Sequence, residues 1–369
     1  MNKVIVVGGG IIGLLSACEL HKNGFEVTII ERQNFGQEST WAGGGIVSPL
    51  FPWRYPDEIT DLSRISQQLY PEIIQHMQQA TGLDAEFLPS GMLVAGDYSD
   101  ENPGAWAERT QTPMQLVDQT QLQEIAPELS DQHQMGYWFP QVHQVRNPRL
   151  VALALAYTKL CGIQLIEHQP VTEILTRAGQ ATGVRTEQGD YHADAVVIAG
   201  GAWTTHILNG HSTARTIKPI KGQMLLLKGE PGAVGHIILS EDRYIIPRKD
   251  GRILVGSTTE DAGFNKGTDD KIRQSLLAYA INTVPALQQY ELEAQWAGLR
   301  PSSNDGIPVI GPHPTIKNLF INSGHYRNGV AMGPASVQLL TEIMMGQPTT
   351  LLTQKYAPGY SAQGLEISQ

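Results

Sequence analysis

Two patterns at opposite ends of this chain have the makings of an anion site. Near the start, Gly8-Gly9-Gly10-Ile11-Ile12-Gly13 fits G-x-G-x-x-G; near the end, GHYRNG (residues 324–329) sets Arg327 in a glycine-flanked turn before the helix-like run ASVQLLTEIMMG. A turn at a helix start offers free backbone N–H groups and the positive end of the helix dipole. Arg327 adds a fixed positive charge there. Other chemistries lack their signatures: the sequence holds no H-E-x-x-H, no C-x-x-C and no Cys–His or Ser–His–Asp arrangement. The 11 histidines show no ligand spacing, and we read all of them as structural or surface residues.

The elements that must carry the first pattern can be read around it. Val4–Val7 reads as a short buried strand, a helix follows from about Ile12 to Asn23, and a second strand, Glu26–Ile30, ends at Glu31. Strand, glycine turn, helix, strand and acid form the context of a dinucleotide site. Gly8 allows the tight turn, Gly10 lets the backbone approach a pyrophosphate, and Gly13 lets the helix pack on the strand. Glu31 is expected to accept hydrogen bonds from the adenosine ribose hydroxyls and to repel a 2′-phosphate. The context alone leaves FAD and NAD open. A later buried strand, Ala195–Ile198, ends in Gly200 and Gly201, which suggests a second close approach of backbone to the ligand. No second complete G-x-G-x-x-G is present to hold a nicotinamide reductant, which tilts the choice toward FAD.

The middle of the chain changes period. KGQMLLL, YIIPRKDGRILVGSTTE and LEAQWAG read as strands, with Asp250-Gly251 as a hairpin turn between two of them. A comparable block runs from AEFLPSGMLVAG to MGYWFP. The two blocks are expected to form one antiparallel sheet in a second domain, with the ligand between the domains.

Composition narrows the class. The chain has 369 residues, enough for two domains, with 41% apolar and 17% charged residues. A net charge of −10 argues against a nucleic-acid partner. The cysteines, Cys18 and Cys161, are too few for a disulfide framework; both read as buried packing residues in a reducing compartment. No uncharged run reaches the ~20 residues of a membrane span, so no membrane is expected and the location reads as cytoplasmic.

Across VVGGGIIG, ESTWAGGGIVSP, KGQM, YIIPR, WAGLRPSSNDGIPVIGP and GHYRNG, the chain resembles the FAD-dependent amine oxidases of the D-amino acid oxidase type, and within them the glycine oxidases of the thiazole branch of thiamine synthesis. The resemblance runs from Lys3 to about residue 345. It implies an α/β fold: a Rossmann-type FAD-binding domain of the glutathione-reductase-like class with an inserted antiparallel-sheet α+β substrate domain. The expected FAD-binding segments are 1–84, 146–217 and 304–369, and the expected substrate segments are 85–145 and 218–303.

Residue by residue, the resemblance implies that Gly8, Gly10, Ile11, Ile12, Gly13, Glu31 and Arg32 hold the pyrophosphate and adenosine of a non-covalent FAD. Ser39, Thr40, Gly44, Gly45 and Ile46 match the loop that passes the flavin ring, and Val171 a contact to the adenine. Gly200 and Trp203 match the second approach, and Arg327, Asn328 and Gly329 the loop over the pyrimidine end. Arg300 would clamp the substrate carboxylate through two parallel hydrogen bonds, with Tyr244 and Arg327 beside it.

There are departures. Thr259 replaces a methionine and is expected to give a shorter, more polar pocket wall. Gly43 and Gly44 replace alanines, which is expected to loosen the loop beside the flavin. FPWRYP (51–56) reads as an aromatic flap over the pocket, as surface packing or as a subunit contact.

The implied reaction is oxidative deamination of glycine, sarcosine or a small D-amino acid. Hydride passes from Cα to flavin N5 with no side chain as acid or base, O2 restores the flavin and yields H2O2, and the imine serves the thiazole of thiamine. A small amine or amino acid, O2 and further copies of the chain in a homo-oligomer are the implied partners. The alternatives are a D-amino acid dehydrogenase passing electrons to a quinone and a non-catalytic FAD-binding protein. A nicotinamide-dependent dehydrogenase fits only the first 31 residues.

Overall fold

The structure, a computed structural model, describes residues 2–211 and 213–360. The strand Lys3–Val7 (β1) is followed by the helix Ile11–Lys22 (α1) and the strand Glu26–Ile30 (β2), within one residue of the expected limits. Alternate residues of β1 face opposite ways: Val4 and Val6 enter one hydrophobic cluster, Ile5 and Val7 another. A strand buried on both faces reads as a continuous apolar run, which is the signature of a parallel sheet covered on both sides.

That sheet has six strands in the order Val309–Pro312, Leu319–Ser323, Ala195–Ile198, β1, β2, Gln164–Ile166. All neighbours run parallel except the edge strand Val309–Pro312. On one face pack α1 and the helices Asp57–Thr81, Asn147–Leu160 and Gly329–Met345. On the other lies a three-stranded antiparallel sheet spanning residues 171–192. The strand order explains why distant motifs meet. GGGIIG, AGGAW and GHYRNG follow three adjacent parallel strands and so emerge side by side at their carboxyl ends.

The second sheet has eight strands and joins both sequence blocks, as expected, with Met92–Ala95, Gln115–Asp118 and Met135–Phe139 beside the strands of residues 217–303; it is not wholly antiparallel, because the junction of the blocks, Met92–Ala95 with Ile237–Ser240, is a parallel pair. Asp250-Gly251 turns the antiparallel hairpin of Arg243–Pro247 with Arg252–Gly256. Alternation within Arg243–Pro247 sends Ile245 to a cluster under the helix Asp270–Thr283, and Tyr244 and Ile246 to the opposite face. That face looks toward the first domain.

Two expectations change here. Cys18 is buried, with Sγ 3.3 Å from Thr158 Oγ1, but Cys161 is only partly buried because it caps the end of its helix. The FPWRYP segment takes the packing role. Phe51, Trp53, Tyr98 and Tyr137 form an aromatic cluster, and Arg54 pairs with Glu101 and Asp242 at 2.6 and 2.5 Å. Ion pairs and stacked rings tie it to the second domain.

Candidate active site

Two cavities meet at the N-terminus of α1, sharing Gly10, Ser39 and Thr40 in their walls. One, of about 500 Å³, runs over the ends of the parallel strands. The other, of about 140 Å³, runs between the two sheets. Together they make one elongated trough with a helix start at its middle.

The glycines around this junction are dictated by space. A Cβ on Gly8, whose φ is +112°, would collide with the carbonyl of Ala199; one on Gly13 would collide with the carbonyl of Gly8. Beside Gly10 the nearest atom to such a Cβ is Thr40 Oγ1 at 3.4 Å, so the space there opens into the trough. No side chain caps α1 and no acid stands in its first turn; the Ile11 N–H donates to Thr40 Oγ1 at 3.1 Å. These features fit a pyrophosphate at the trough's midpoint, and hence a long dinucleotide.

The larger cavity suits the adenosine end of such a ligand. Its wall holds Gly8, Glu31, Arg32, Val171, Gly200 and Trp203, all expected there. Glu31 is buried, and its carboxylate already accepts from Gly9 N at 2.7 Å and Gln33 N at 2.9 Å. It therefore shapes the glycine turn itself, with lone pairs left for ribose hydroxyls. The Arg32 guanidinium lies 3.6 Å over the Trp203 ring and pairs with Glu38.

The smaller cavity suits the ring end. Ile11, Ile12, Gly44, Gly45 and Ile46 line one side, and Arg327, Asn328 and Gly329 another. The helix Gly329–Met345 begins here with no side-chain cap on its N-terminus and no acid in its first turn. Free N–H groups and the Arg327 charge thus converge on one place, suited to negative charge at the edge of a flavin.

The loop of Gly43 and Gly44 is not loosened. A Cβ on Gly43 would stand 2.8 Å from Asn147 Nδ2, and one on Gly44 2.7 Å from Ile246 Cδ1 and 3.3 Å from Tyr244 Cε2. The glycines are present because the loop is pressed between the start of the helix Asn147–Leu160 and the second domain. Arg248, from the same YIIPR stretch as Tyr244, locks it: Nη2 donates to Gly44 O at 2.7 Å and Nη1 to Gln144 Oε1 at 2.6 Å and Val145 O at 3.2 Å. Burial pulls the Arg248 guanidinium down to about 10. Asn147 Nδ2 holds the same loop through Thr40 O at 2.6 Å.

Arg300 stands in the wall of this cavity with Tyr244. Its Nη1 donates to Thr258 O at 3.0 Å and Lys221 O at 3.4 Å, and its Nη2 to Ser257 Oγ at 2.7 Å. Burial lowers its pKa, and no carboxylate among the described residues pairs with it. Gly222 lies beneath, where a Cβ would strike the guanidinium. Tyr244 is buried beside Arg300, and its hydroxyl lies 3.5 Å from Met224 Sδ, a weak acceptor. Thr259 is exposed and is not part of the wall; its hydroxyl instead receives the Arg327 guanidinium. The strand ends at Gly256, and the chain has turned outward by residue 259.

One histidine is neither structural filler nor surface. His325 lines the ring end, is buried, and has no partner for Nε2; burial pushes it down to about 3, so it stays neutral. Its place inside GHYRNG was the signal for it. Nothing in the sequence marked Asn147 or Ser257. Arg248 was visible in YIIPR, but an arginine used for loop geometry has no spacing signature. No cluster of metal-ligating side chains and no helix able to cross a membrane occurs among the described residues.

Comparison with known proteins agrees with this geometry. The family model "FAD dependent oxidoreductase" matches residues 3–343. A glycine oxidase of Pseudomonas putida is 41% identical over 359 residues, covering 97% of this chain and 98% of that protein. A bifunctional ThiO/ThiG protein of Synechocystis is 31% identical over 368 residues, covering 97% of this chain but 54% of that protein. A crystal structure of a Bacillus cereus glycine oxidase superposes with a TM-score of 0.88 at 28% identity, covering 95% of this chain and 99% of that one.

Proposed function

The chain belongs to the FAD-dependent oxidoreductase family, and on that premise we propose that it oxidises glycine and other small amines bearing a carboxylate, such as sarcosine and small D-amino acids. The observation that carries the reading is Arg300, an inward guanidinium held only by carbonyls and a hydroxyl. A guanidinium has five N–H donors. Three are engaged, which leaves two for the parallel bonds a carboxylate accepts.

The rest of the cavity suits a small amine. Ile46, Leu50, Met224 and Tyr244 give the wall that holds the clamp apolar surface, and the cavity is small, about 140 Å³. None of its lining residues is Asp or Glu. With two arginines nearby and no acid, a bound amine is favoured in its neutral form, whose lone pair supports loss of hydride. The Tyr244 hydroxyl, beside Arg300 and donating only weakly to sulfur, can turn to the substrate. The flavin, when bound, supplies the two-electron acceptor, and O2 restores it with release of H2O2.

The similarity to a ThiO/ThiG protein supports delivery of the imine to thiazole synthesis for thiamine. We further propose residues 1–84, 146–217 and 304–369 as the cofactor domain and 85–145 and 218–303 as the substrate domain, with a homo-oligomer in the cytoplasm. In support of that division, the strands of the six-stranded sheet fall in the first set and those of the eight-stranded sheet in the second, apart from Ile217. Residues 361–369 lie outside the described residues.

The test is an anaerobic spectrum of the purified yellow protein. Glycine should bleach the visible flavin bands, and air should restore them with release of peroxide. Bleaching without prompt peroxide would mean a dehydrogenase serving another acceptor. Failure of glycine, sarcosine and D-alanine alike to bleach would overturn the assignment.

A further inference from the structure

After the strand Arg252–Gly256, the chain stays bridged to the sheet at Lys221–Glu260 and then crosses to the mouth of the larger cavity. Lys266 Nζ lies 3.1 Å from Glu38 Oε2, and Glu38 is part of the cavity wall. The Phe264 ring sits with its centroid 5.2 Å from that of Trp203, also in the wall. Arg32 closes the circuit, paired with Glu38 and lying over Trp203. Phe264 remains 50% exposed and joins none of the hydrophobic clusters of the core. Its aromatic neighbour is a cofactor-lining tryptophan, so core packing does not account for it. At its other end, the same segment supplies the Ser257 and Thr258 contacts of Arg300 and the Thr259 contact of Arg327.

We propose that Phe264 and Lys266 are positioning residues for the adenosine end of FAD. The segment 259–266 is a strap from the substrate domain that holds Trp203 and Glu38 against the cofactor. Release of FAD then requires the Phe264–Trp203 and Lys266–Glu38 contacts to part. Aromatic pairs and exposed ion pairs contribute modestly, so the effects should be graded. Phe264→Ala should speed FAD dissociation about fivefold, Lys266→Met about twofold, and the pair about tenfold together.

The experiment follows free-flavin fluorescence after dilution of the holoenzyme, with no substrate present. It therefore reads the strap whether or not glycine is the substrate. Salt should speed release from the parent protein by screening Lys266–Glu38, and this dependence should weaken in Lys266→Met. Phe264→Trp and Lys266→Arg should restore slow release. Equal melting temperatures of the apo-proteins would show that the fold is intact. Dissociation from the double variant within twofold of the parent would overturn the proposal. So would Phe264→Trp releasing FAD as fast as Phe264→Ala.

Discussion

Replacing Arg300 by alanine removes the two N–H groups left after its three internal hydrogen bonds. A hydrogen bond to a charged group contributes about 1.5–3 kcal/mol, so two amount to about 3–6 kcal/mol. At about 1.36 kcal/mol per decade, kcat/KM for glycine should fall by about 10² to 10⁴. The loss should concentrate in binding, since the guanidinium meets the carboxylate in ground state and transition state alike. Stopped-flow reduction of the flavin under anaerobic conditions separates the two. The apparent Kd for glycine should rise steeply while the limiting rate changes less.

Methylamine, which lacks the carboxylate, supplies the internal control. The parent should strongly prefer glycine, and Arg300→Ala should bring the two amines close together. Arg300→Lys should recover part of the loss but not all, because an ammonium cannot offer two parallel donors. If Arg300→Ala keeps kcat/KM for glycine within tenfold, the reasoning fails. The carboxylate would then lie on Arg327, the other arginine of that wall.

Three further outcomes follow from the packing. Gly44→Ala should lower kcat/KM about tenfold by pushing Tyr244 and Ile246 aside, since its Cβ would stand 2.7 Å from Ile246 Cδ1; Ile246→Val in the same chain should recover part of the loss in a glycine titration. Arg248→Met strips the Gly44, Val145 and Gln144 acceptors of their donor, and the flavin content of the purified protein should fall with a loss of about 3 kcal/mol in stability by denaturant titration. His325 has a folded pKa of about 3, below its unfolded value of about 6.5. The unfolded chain therefore binds this proton first as pH falls through 6.5, and stability drops by about 1.4 kcal/mol per pH unit from there toward 3. His325→Asn should flatten that part of the profile in urea titrations at pH 6.5 and 5.

What the sequence disclosed depended on whether a residue's job leaves a local pattern. The turn of Gly8, Gly10 and Gly13 is legible because strand, turn and helix are neighbours in the chain: Gly13 answers a clash with Gly8 and Gly10 an opening beside the turn, although the crowding at Gly8 itself comes from Ala199. The Asp250-Gly251 hairpin is legible for the same reason. Gly43 and Gly44 were misread because their crowding comes from Asn147, Ile246 and Tyr244, over 100 residues away. Nothing local separates a glycine that frees a loop from one that lets a loop be pressed flat. Thr259 was placed in the wall by position in a motif, but the strand stops at Gly256 and the residue points to Arg327 instead.

The same distinction explains how the site holds unpaired charge. Arg300 and Arg327 face one small cavity, and no acid lines it. Left in water such charges would cost nothing; at a buried wall they must be held by dipoles instead. Arg300 is held by the carbonyls of Thr258 and Lys221 and the hydroxyl of Ser257, and Arg327 by the hydroxyl of Thr259. Lys221 is itself neutralised by Glu260 at 3.0 Å, and Glu260 also accepts from Thr258 Oγ1 at 2.5 Å and Gln223 Nε2 at 3.0 Å. The acid is thus present but one layer back. There it fixes the carbonyl-bearing segment without quenching the guanidinium. Had Glu260 stood at Ser257 instead, Arg300 would be a satisfied ion pair with nothing left for a substrate. Ser257→Glu is therefore expected to abolish the glycine-dependent bleaching while the protein stays folded and yellow. Retained bleaching would show that the open guanidinium is not what selects the carboxylate.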